Sequence, residues 1–432
     1  MAKRPIFSSR LATLLTMIGV AVGLGNVWRF PYMMGKYGGS AFLFIYLLFS
    51  VLFAVPALMA EMSLGRYTRK GPLGAFREAF GSTVGTIVGW MLLITITVSA
   101  SYYVVIIANV VFAAWFSARY GFTTDNFSIY EAQLNNGSLQ YSIVLVLIIG
   151  SLFAVYRGLN KGIEWVSQIF VPFFLLVILY LIASAFSLEG AGPQFLNFLQ
   201  PDFAALEAPH IFAALGQAVY SLSLGGTFML MYGSYLSDQA KIPQLALLTG
   251  MGDVSAALLT SLFIIPTILV FGLDMTAGPK LIFSTMPRLF AVLPGGSFIG
   301  TLFLVVLAMV AILSLIGAYE VIIGSVPDFT NSNWSRSKII IGFGVLQTAL
   351  SFPSTFDANL IGTLDLIFGS GMQLLGCTMA VLALTWGLGK TKTLTAIFDS
   401  SNNQWQLFFY YWLRWVIPGI LLLVLIGYIY NL

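Results

Sequence analysis

Residues 19–26 read Gly19-Val20-Ala21-Val22-Gly23-Leu24-Gly25-Asn26, with three glycines in seven positions of an otherwise apolar run. Residues 220–227 read Tyr220-Ser221-Leu222-Ser223-Leu224-Gly225-Gly226-Thr227, in the middle of another such run. Each interior glycine costs a helix about 0.8–1.0 kcal/mol relative to alanine, so both stretches are weak points. In hydrocarbon, an unpaired N–H or C=O has no partner; broken backbone at that depth must line a cavity or be buried in protein. A small-residue packing face is the alternative for either stretch taken alone. Two of them, five apolar runs apart, divide the chain into matching halves, the pattern of an inverted repeat around a midplane site. An odd number of spans per half forces the halves into opposite orientations.

Composition says what these runs are. Of 432 residues, 59% are hydrophobic and 8% charged, against roughly 25% charged in a soluble domain. Such a chain cannot clothe a soluble fold in charge, and it is too apolar for disorder. The net charge of +4 reads as a bias of membrane topology, and no nucleic-acid partner is expected. A single cysteine, Cys377, excludes internal disulfides and thiolate clusters; a single histidine, His210, leaves no imidazole metal centre. With no intramembrane nucleophile–base pair and no phosphate-binding loop, neither an enzyme nor an ATP-driven pump is expected.

A helix crossing about 30 Å of hydrocarbon needs roughly 20 apolar residues. Eleven runs qualify, at about 11–33, 40–64, 85–117, 141–157, 163–187, 209–236, 243–272, 298–326, 338–353, 358–388 and 405–430. The fourth is short and the tenth interrupted, which leaves ten or twelve open. The expected fold is an all-α polytopic membrane protein, one transmembrane domain over 1–432. It holds one repeat at about 8–187, a second at about 209–388 and an extra helix at about 405–430. The first run is followed by GLGNVWRFP rather than a cleavage site, so no cleavable signal peptide is expected. Segments 118–140 and 188–208, rich in Gly, Pro, Asn and Asp, are read as irregular.

With the N-terminus inside, Lys3, Arg4, Arg10, Arg66, Arg69, Lys70, Arg77, Arg157, Lys161, Lys241, Arg336, Lys338, Lys390 and Lys392 face the cytoplasm. Lys36, Arg119, Lys280 and Arg288 lie on the other side. This asymmetry follows the positive-inside rule and points to a multi-pass protein of the inner (plasma) membrane with a cytoplasmic N-terminus. Trp28, Trp90, Trp115, Trp334, Trp405 and Trp415 fall near run ends, where lipid-interface anchors belong.

GLGNVWRFPY (23–32), GGSAF (38–42), AEMSLGRY (60–67), YSLSLGG (220–226) and KGIE (161–164) together resemble the neurotransmitter:sodium symporter family, in particular its bacterial amino-acid-transporting branch. The resemblance covers nearly the whole chain. It implies a five-plus-five inverted repeat with discontinuous helices 1 and 6, sodium-coupled uptake of an α-amino acid, and alternating access. Paired broken helices are best described in this same family, so the two readings overlap.

Carried over residue by residue, the resemblance implies a first sodium site made by the Ala21 carbonyl, the Asn26 side chain, the Ser221 carbonyl and hydroxyl, and Asp253, completed by the substrate carboxylate. Asp253 is informative by itself. It lies about 15 Å along the seventh run, where an unpaired carboxylate is expensive. Many relatives carry Asn there and balance charge with chloride; the other chloride-site positions are Tyr46, Gln217, Ser221 and, here, Ala257. Asp253 is therefore expected to replace the halide, and no chloride is expected. A structural carboxylate bonded to nearby hydroxyls is the alternative.

The second sodium site departs from the family pattern. Aligned through Glu320, the eighth run offers Leu313 and Ser314 where relatives have two hydroxyls, or an Asp and a hydroxyl. The carbonyls of Gly19, Val22 and Val310 and the Ser314 hydroxyl remain. One hydroxyl fewer implies weaker binding or a changed stoichiometry, with a one-turn misalignment as the alternative.

For the substrate, the resemblance places the carboxylate on amides near Leu24 and Gly25, at the positive end of the outer half-helix, with Tyr103 as a further donor. The amino group would meet the carbonyls of Ala21, Tyr220 and Ser223. Gly23 stands where monoamine carriers have an Asp, and a glycine there implies an α-amino acid. Val20, Ser99, Tyr220, Gly226, Ser314 and Ala318 would line the side-chain pocket. Gly226, an aromatic in many relatives, and the small Ala318 suggest a bulky hydrophobic or aromatic substrate, unless another side chain fills the gap.

Arg29 and Asp365 are the implied outer gate, with Tyr220 as lid and Asp357 as competing partner. Arg4 and Asp328 are the implied inner gate, supported by Tyr235. Gly162 and Pro172 loosen the inner part of span five. Glu61 and Glu320 are read as helix-packing partners, and His210 as an interfacial residue. A proton-coupled or sodium-independent permease of the same fold is favoured by Leu313 and opposed by Asn26, Ser221 and Asp253. A channel would need a continuous polar pore, whereas the polar groups here converge on one point. Both a monomer and a homodimer fit the sequence.

Overall fold

An apolar run in hydrocarbon must satisfy its own backbone, which makes each run a helix. The computed structural model describes residues 4–275, 278, 281–329, 334–398 and 403–430; Lys3 and Lys280, two of the topology markers, lie outside them. Among the described residues, nine continuous helices are long and apolar enough to cross a bilayer. They are Ser40–Thr68, Ser82–Tyr120, Gly137–Tyr156, Leu159–Phe186, Ile242–Val270, Gly296–Asp328, Arg336–Phe356, Ala358–Gly387 and Gln404–Gly427. They correspond to spans two to five and seven to eleven of the sequence reading.

Span one is a bent pair, Arg10–Ala21 and Gly25–Lys36, with a 60° turn between them. Its inner half starts at Ser9, whose side chain caps the helix by accepting from the Ala12 N–H, and stops where Val22 turns extended at ψ 121. Over the sixth run the chain forms Ala208–Ser221, an irregular stretch, and the short helix Phe228–Gly233. Counted as one more crossing, this pair gives eleven, consistent with the sequence count.

Side chains replace the lost helical hydrogen bonds at both breaks. The Gly23 N–H donates to Asn26 Oδ1 at 2.9 Å, and the Gly225 N–H donates to buried Glu61 Oε1 at 2.7 Å. Glu61 is thus the packing partner expected, and what it holds is the unwound backbone. Ser223 and Thr227 adopt left-handed φ of 54° and 59°, a conformation that ordinary side chains enter at a cost and that recurs at ligand sites. Gly225 has no such choice: φ is 79°, and a Cβ there would stand 1.7 Å from the Gln373 carbonyl oxygen.

Three sequence readings need correction. The tenth run is not interrupted; its glycines widen the turn Asp365–Gly371 into a π-helical segment inside one helix. The fourth run is a full crossing, Gly137–Tyr156, because Asn136 caps it by accepting from the Leu139 N–H. Segments 118–140 and 188–208 are not wholly irregular: they carry the helices Phe127–Leu134 and Ala191–Phe198, preceded by Asn126 and by Gly190 in a left-handed conformation. Their Asn and Gly residues punctuate helices rather than dissolve them. Spans three and eight, the longest and among the most buried, pack along each other beside both breaks.

Candidate substrate and ion site

The two breaks face a common cavity of about 90 Å³. Ten residues expected to contact substrate line it: Ala21, Leu24, Gly25, Ser99, Tyr103, Tyr220, Ser221, Ser223, Ser314 and Ala318. Val20 and Gly226 do not. Val20 packs against span eight, with its Cγ1 3.1 Å from where a Cβ on Gly317 would stand. The room opened at Gly226 is taken by Phe228, whose Cε2 lies 2.5 Å from the position of a Gly226 Cβ. Phe228 itself lines the cavity, so the aromatic wall is supplied from two residues further along.

Sequence reasoning missed Phe228, Ile96, Ala100, Tyr102, Gly369 and Gln373 as lining residues. A signal existed for two of them: Asp365, Gly369 and Gln373 are four residues apart and share one helix face. The Ser223 hydroxyl has a contact of its own. It reaches the carbonyls of Val20 and Ala21 at 3.4 and 3.5 Å, tying the two breaks together.

Beneath the cavity, Asn26, Ser221 and Asp253 converge, all at most 2% exposed. Asn26 Nδ2 donates to Asp253 Oδ1 at 2.7 Å, to the Asp253 carbonyl at 3.2 Å and to Ser221 Oγ at 2.9 Å. Ser221 Oγ donates to Asp253 Oδ2 at 2.6 Å. Three spans, with residues up to 227 apart in sequence, thereby meet on one buried carboxylate. Around it, Gln217 Nε2 donates to the Gly25 carbonyl at 3.4 Å, while the Tyr46 hydroxyl and Gln217 Oε1 are buried without a hydrogen-bond partner.

Residues of the second expected ion position also gather. Ser314 Oγ donates to the Val22 carbonyl at 3.2 Å and reaches that of Val310 at 3.5 Å. Leu313 Cδ1 lies 3.2 Å from where a Cβ on Gly19 would stand. Gly19, Val22, Val310, Leu313 and Ser314 therefore share one place, which argues against a one-turn slip in the alignment. A Leu313 methyl stands beside Gly19, where the family resemblance implies a hydroxyl.

The two mouths differ. Arg4 Nη2 pairs with Asp328 Oδ2 at 2.7 Å, and the side chains are 15% and 14% exposed. Arg4 Nε also donates to the Arg69 carbonyl at 3.2 Å, and its guanidinium lies 5.8 Å from the Tyr235 ring centre. Tyr235 in turn donates to Glu320 Oε1 at 2.5 Å, and Arg336 donates to Glu320 Oε2 at 2.6 Å. On the other side, Arg29 and Asp365 do not form the expected ion pair. The Arg29 guanidinium lies on the Tyr220 ring, 4.2 Å from its centre, and Asp365 accepts from the Tyr102 hydroxyl at 3.0 Å. Asp357 is no gate competitor, because it caps the following helix by accepting from the Asn359 N–H. His210 accepts from the Glu207 N–H at a helix start.

A helical membrane protein whose two interrupted spans close on a common cavity has the build of a carrier. The family model for the sodium:neurotransmitter symporter family matches residues 4–126 and 117–432, and the chain belongs to that family. It is thus a sodium-dependent symporter of the membrane, in a family of transporters and not of enzymes. It is 28% identical to the sodium-dependent transporter YhdH of Bacillus subtilis, over 99% of this chain and 98% of that protein. It is 24% identical to the sodium- and chloride-dependent GABA transporter ine of Drosophila melanogaster, over 74% of this chain and 39% of that one. The crystal structure of MhsT in complex with L-phenylalanine superposes with a TM-score of 0.88 at 28% identity, covering 98% of this chain and 100% of MhsT.

Proposed function

We propose that the protein couples the inward movement of sodium to uptake of an α-amino acid with an apolar or aromatic side chain, without chloride. The observation that carries this reading is the buried Asp253 carboxylate, held by Asn26 and Ser221 where the two breaks meet. A cation site needs oxygens and a compensating charge, and this cluster offers both. The Asn26 carboxamide presents nitrogen to Asp253; in the sodium-bound state it turns its oxygen to the ion, joined by Ser221 Oγ, the Ala21 carbonyl and the substrate carboxylate.

Chloride independence is supported by Asp253 itself: a buried carboxylate already supplies a negative charge beside Ser221, whose hydroxyl donates to it. Leu313 at the second ion position favours a single coupled sodium.

The substrate carboxylate is assigned to the amides near Leu24 and Gly25 with Tyr103, and its ammonium to the carbonyls of Ala21, Tyr220 and Ser223. No acid at position 23 competes for that ammonium, and a side chain there would press on Ser314 Oγ at 3.2 Å and approach Tyr103 Oη at 3.6 Å. MhsT, crystallised with L-phenylalanine, supports an aromatic or apolar side chain; Phe228, Ile96 and Ala100 offer the matching wall. Access alternates as the Arg4–Asp328 side opens while Tyr220 and Arg29 close the other, with the N-terminus in the cytoplasm of the inner membrane.

Scintillation-proximity binding of the twenty amino acids tests this, each with sodium and with potassium in its place. Apolar and aromatic amino acids should bind only with sodium, and replacing chloride by gluconate should leave uptake unchanged. Displacement by glycine and alanine alone, or undiminished uptake without sodium, would refute the substrate or the coupling respectively.

A further inference from the structure

Arg414 lies in the eleventh span, level with Trp386 in the last turn of the tenth, whose Nε1 donates to its carbonyl. A cation on an apolar span is costly unless paired or able to reach a polar surface. Among the described residues no carboxylate pairs with Arg414, unlike Arg4, Arg69, Lys70 and Arg336, which pair with Asp328, Asp238, Glu78 and Glu320. One of its N–H groups donates to the Tyr410 hydroxyl at 2.6 Å. Its guanidinium face is held by aromatic rings instead: Trp386 at 4.2 Å, Trp415 at 5.7 Å and Tyr410 at 5.8 Å.

The cage is rigid. Trp386 Nε1 donates to the Arg414 carbonyl at 3.2 Å, and Tyr410 Oη donates to the Thr385 carbonyl at 3.1 Å, joining spans ten and eleven. Trp386, Tyr411 and Trp415 are each about half exposed on the outer face of the bundle, where lipid lies. Lys390 and Lys392, on the helix Lys390–Phe398 that follows span ten, are exposed beside the same corner. Their ammonium groups lie 5.9 Å from the Tyr411 ring and 6.0 Å from the Tyr67 ring, and neither has a carboxylate partner among the described residues.

We propose that this corner binds the phosphodiester of an anionic phospholipid. A guanidinium held flat by indoles, with its remaining N–H groups free, presents the fork that matches two phosphate oxygens. Two lysines beside it add charge that a zwitterionic headgroup, carrying its own cation, would not gain from. Trp and Tyr are the residues that favour headgroup depth, so they position the fork where phosphates run. The three cations belong to none of the gates or the substrate cavity, so the proposal stands apart from the transport reading.

The full-length protein, delipidated in detergent, would be titrated with phosphatidylglycerol, with phosphatidylcholine and with inorganic phosphate. Bound lipid is read by native mass spectrometry and protection by the thermal midpoint. Phosphatidylglycerol should bind and stabilise more than phosphatidylcholine, with inorganic phosphate ineffective. R414Q should weaken that binding about fivefold, and the exposed pair K390Q/K392Q by a similar factor or more. If R414Q fails to fold, K390Q/K392Q carries the test alone. Equal binding of the two lipids, equal protection by inorganic phosphate, or unchanged phosphatidylglycerol binding in K390Q/K392Q would overturn the proposal.

Discussion

The two proposed ion positions draw on carbonyls of the same broken helix, yet they are furnished in opposite ways. One is a carboxylate, a carboxamide and a hydroxyl locked together: Asp253, Asn26 and Ser221. The other keeps its backbone oxygens and the Ser314 hydroxyl but receives a leucine methyl beside Gly19. Breaking a helix bares oxygens; the side chains that arrive from other spans decide whether a cation can use them. The carboxylate supplies both charge and ligand in the first position, while Leu313 supplies neither in the second.

The comparison can be broken most severely at Asp253. Asp253→Ala should lower sodium-dependent substrate binding about a hundredfold, because two hydrogen bonds to a charge are lost from a buried cluster. Asp253→Asn should recover binding only when chloride is present; recovery without chloride would remove the carboxylate from the coupling scheme. The opposite manipulation sharpens the contrast. Leu313→Ser should restore an oxygen, raise the sodium Hill coefficient from about one toward about two, and tighten binding at limiting sodium by about tenfold, or about 1.4 kcal/mol. Thermal stability should fall at the same time, since Leu313 is a buried leucine. A Hill coefficient unmoved by that change would mean that the second position is closed for another reason.

The smallest effect belongs to the gates, which show the same lesson at lower stakes. Arg4 has found its acid, whereas Arg29 rests on Tyr220 and Asp365 on Tyr102. Arg4→Ala should shift the distribution toward the inward-open form by no more than about fivefold, since a partly exposed ion pair contributes about 0–1 kcal/mol. Distance measurements between labels on the inner ends of spans one and eight would read it. The corresponding Arg29→Ala should instead loosen the Tyr220 lid and speed substrate release.

Much of the site was legible before any coordinates. Asp253 was recoverable because a carboxylate inside an apolar run is costly, and the family resemblance supplied Asn26 and Ser221 beside it. Phe228 was not, because a residue two positions past Gly226 reaches the gap only after the chain unwinds through left-handed Ser223 and Thr227. Gln373 was hidden differently. Its place beside Gly225 depends on how span ten lies against the sixth break, a long-range contact with no local pattern.

Composition and glycine spacing by themselves determined that this is a bundle of membrane helices with two weak points at matching places. Those properties are local: hydrocarbon demands helices of a given length, and glycine loosens them wherever it stands. Only the tertiary structure decided which side chains complete the bared backbone, that a Leu313 methyl packs against Gly19, and that Arg29 stacks on a ring instead of pairing with Asp365. Such choices depend on the packing of spans distant in sequence, and a linear pattern does not carry the angles and ångströms that distinguish one neighbour from the next.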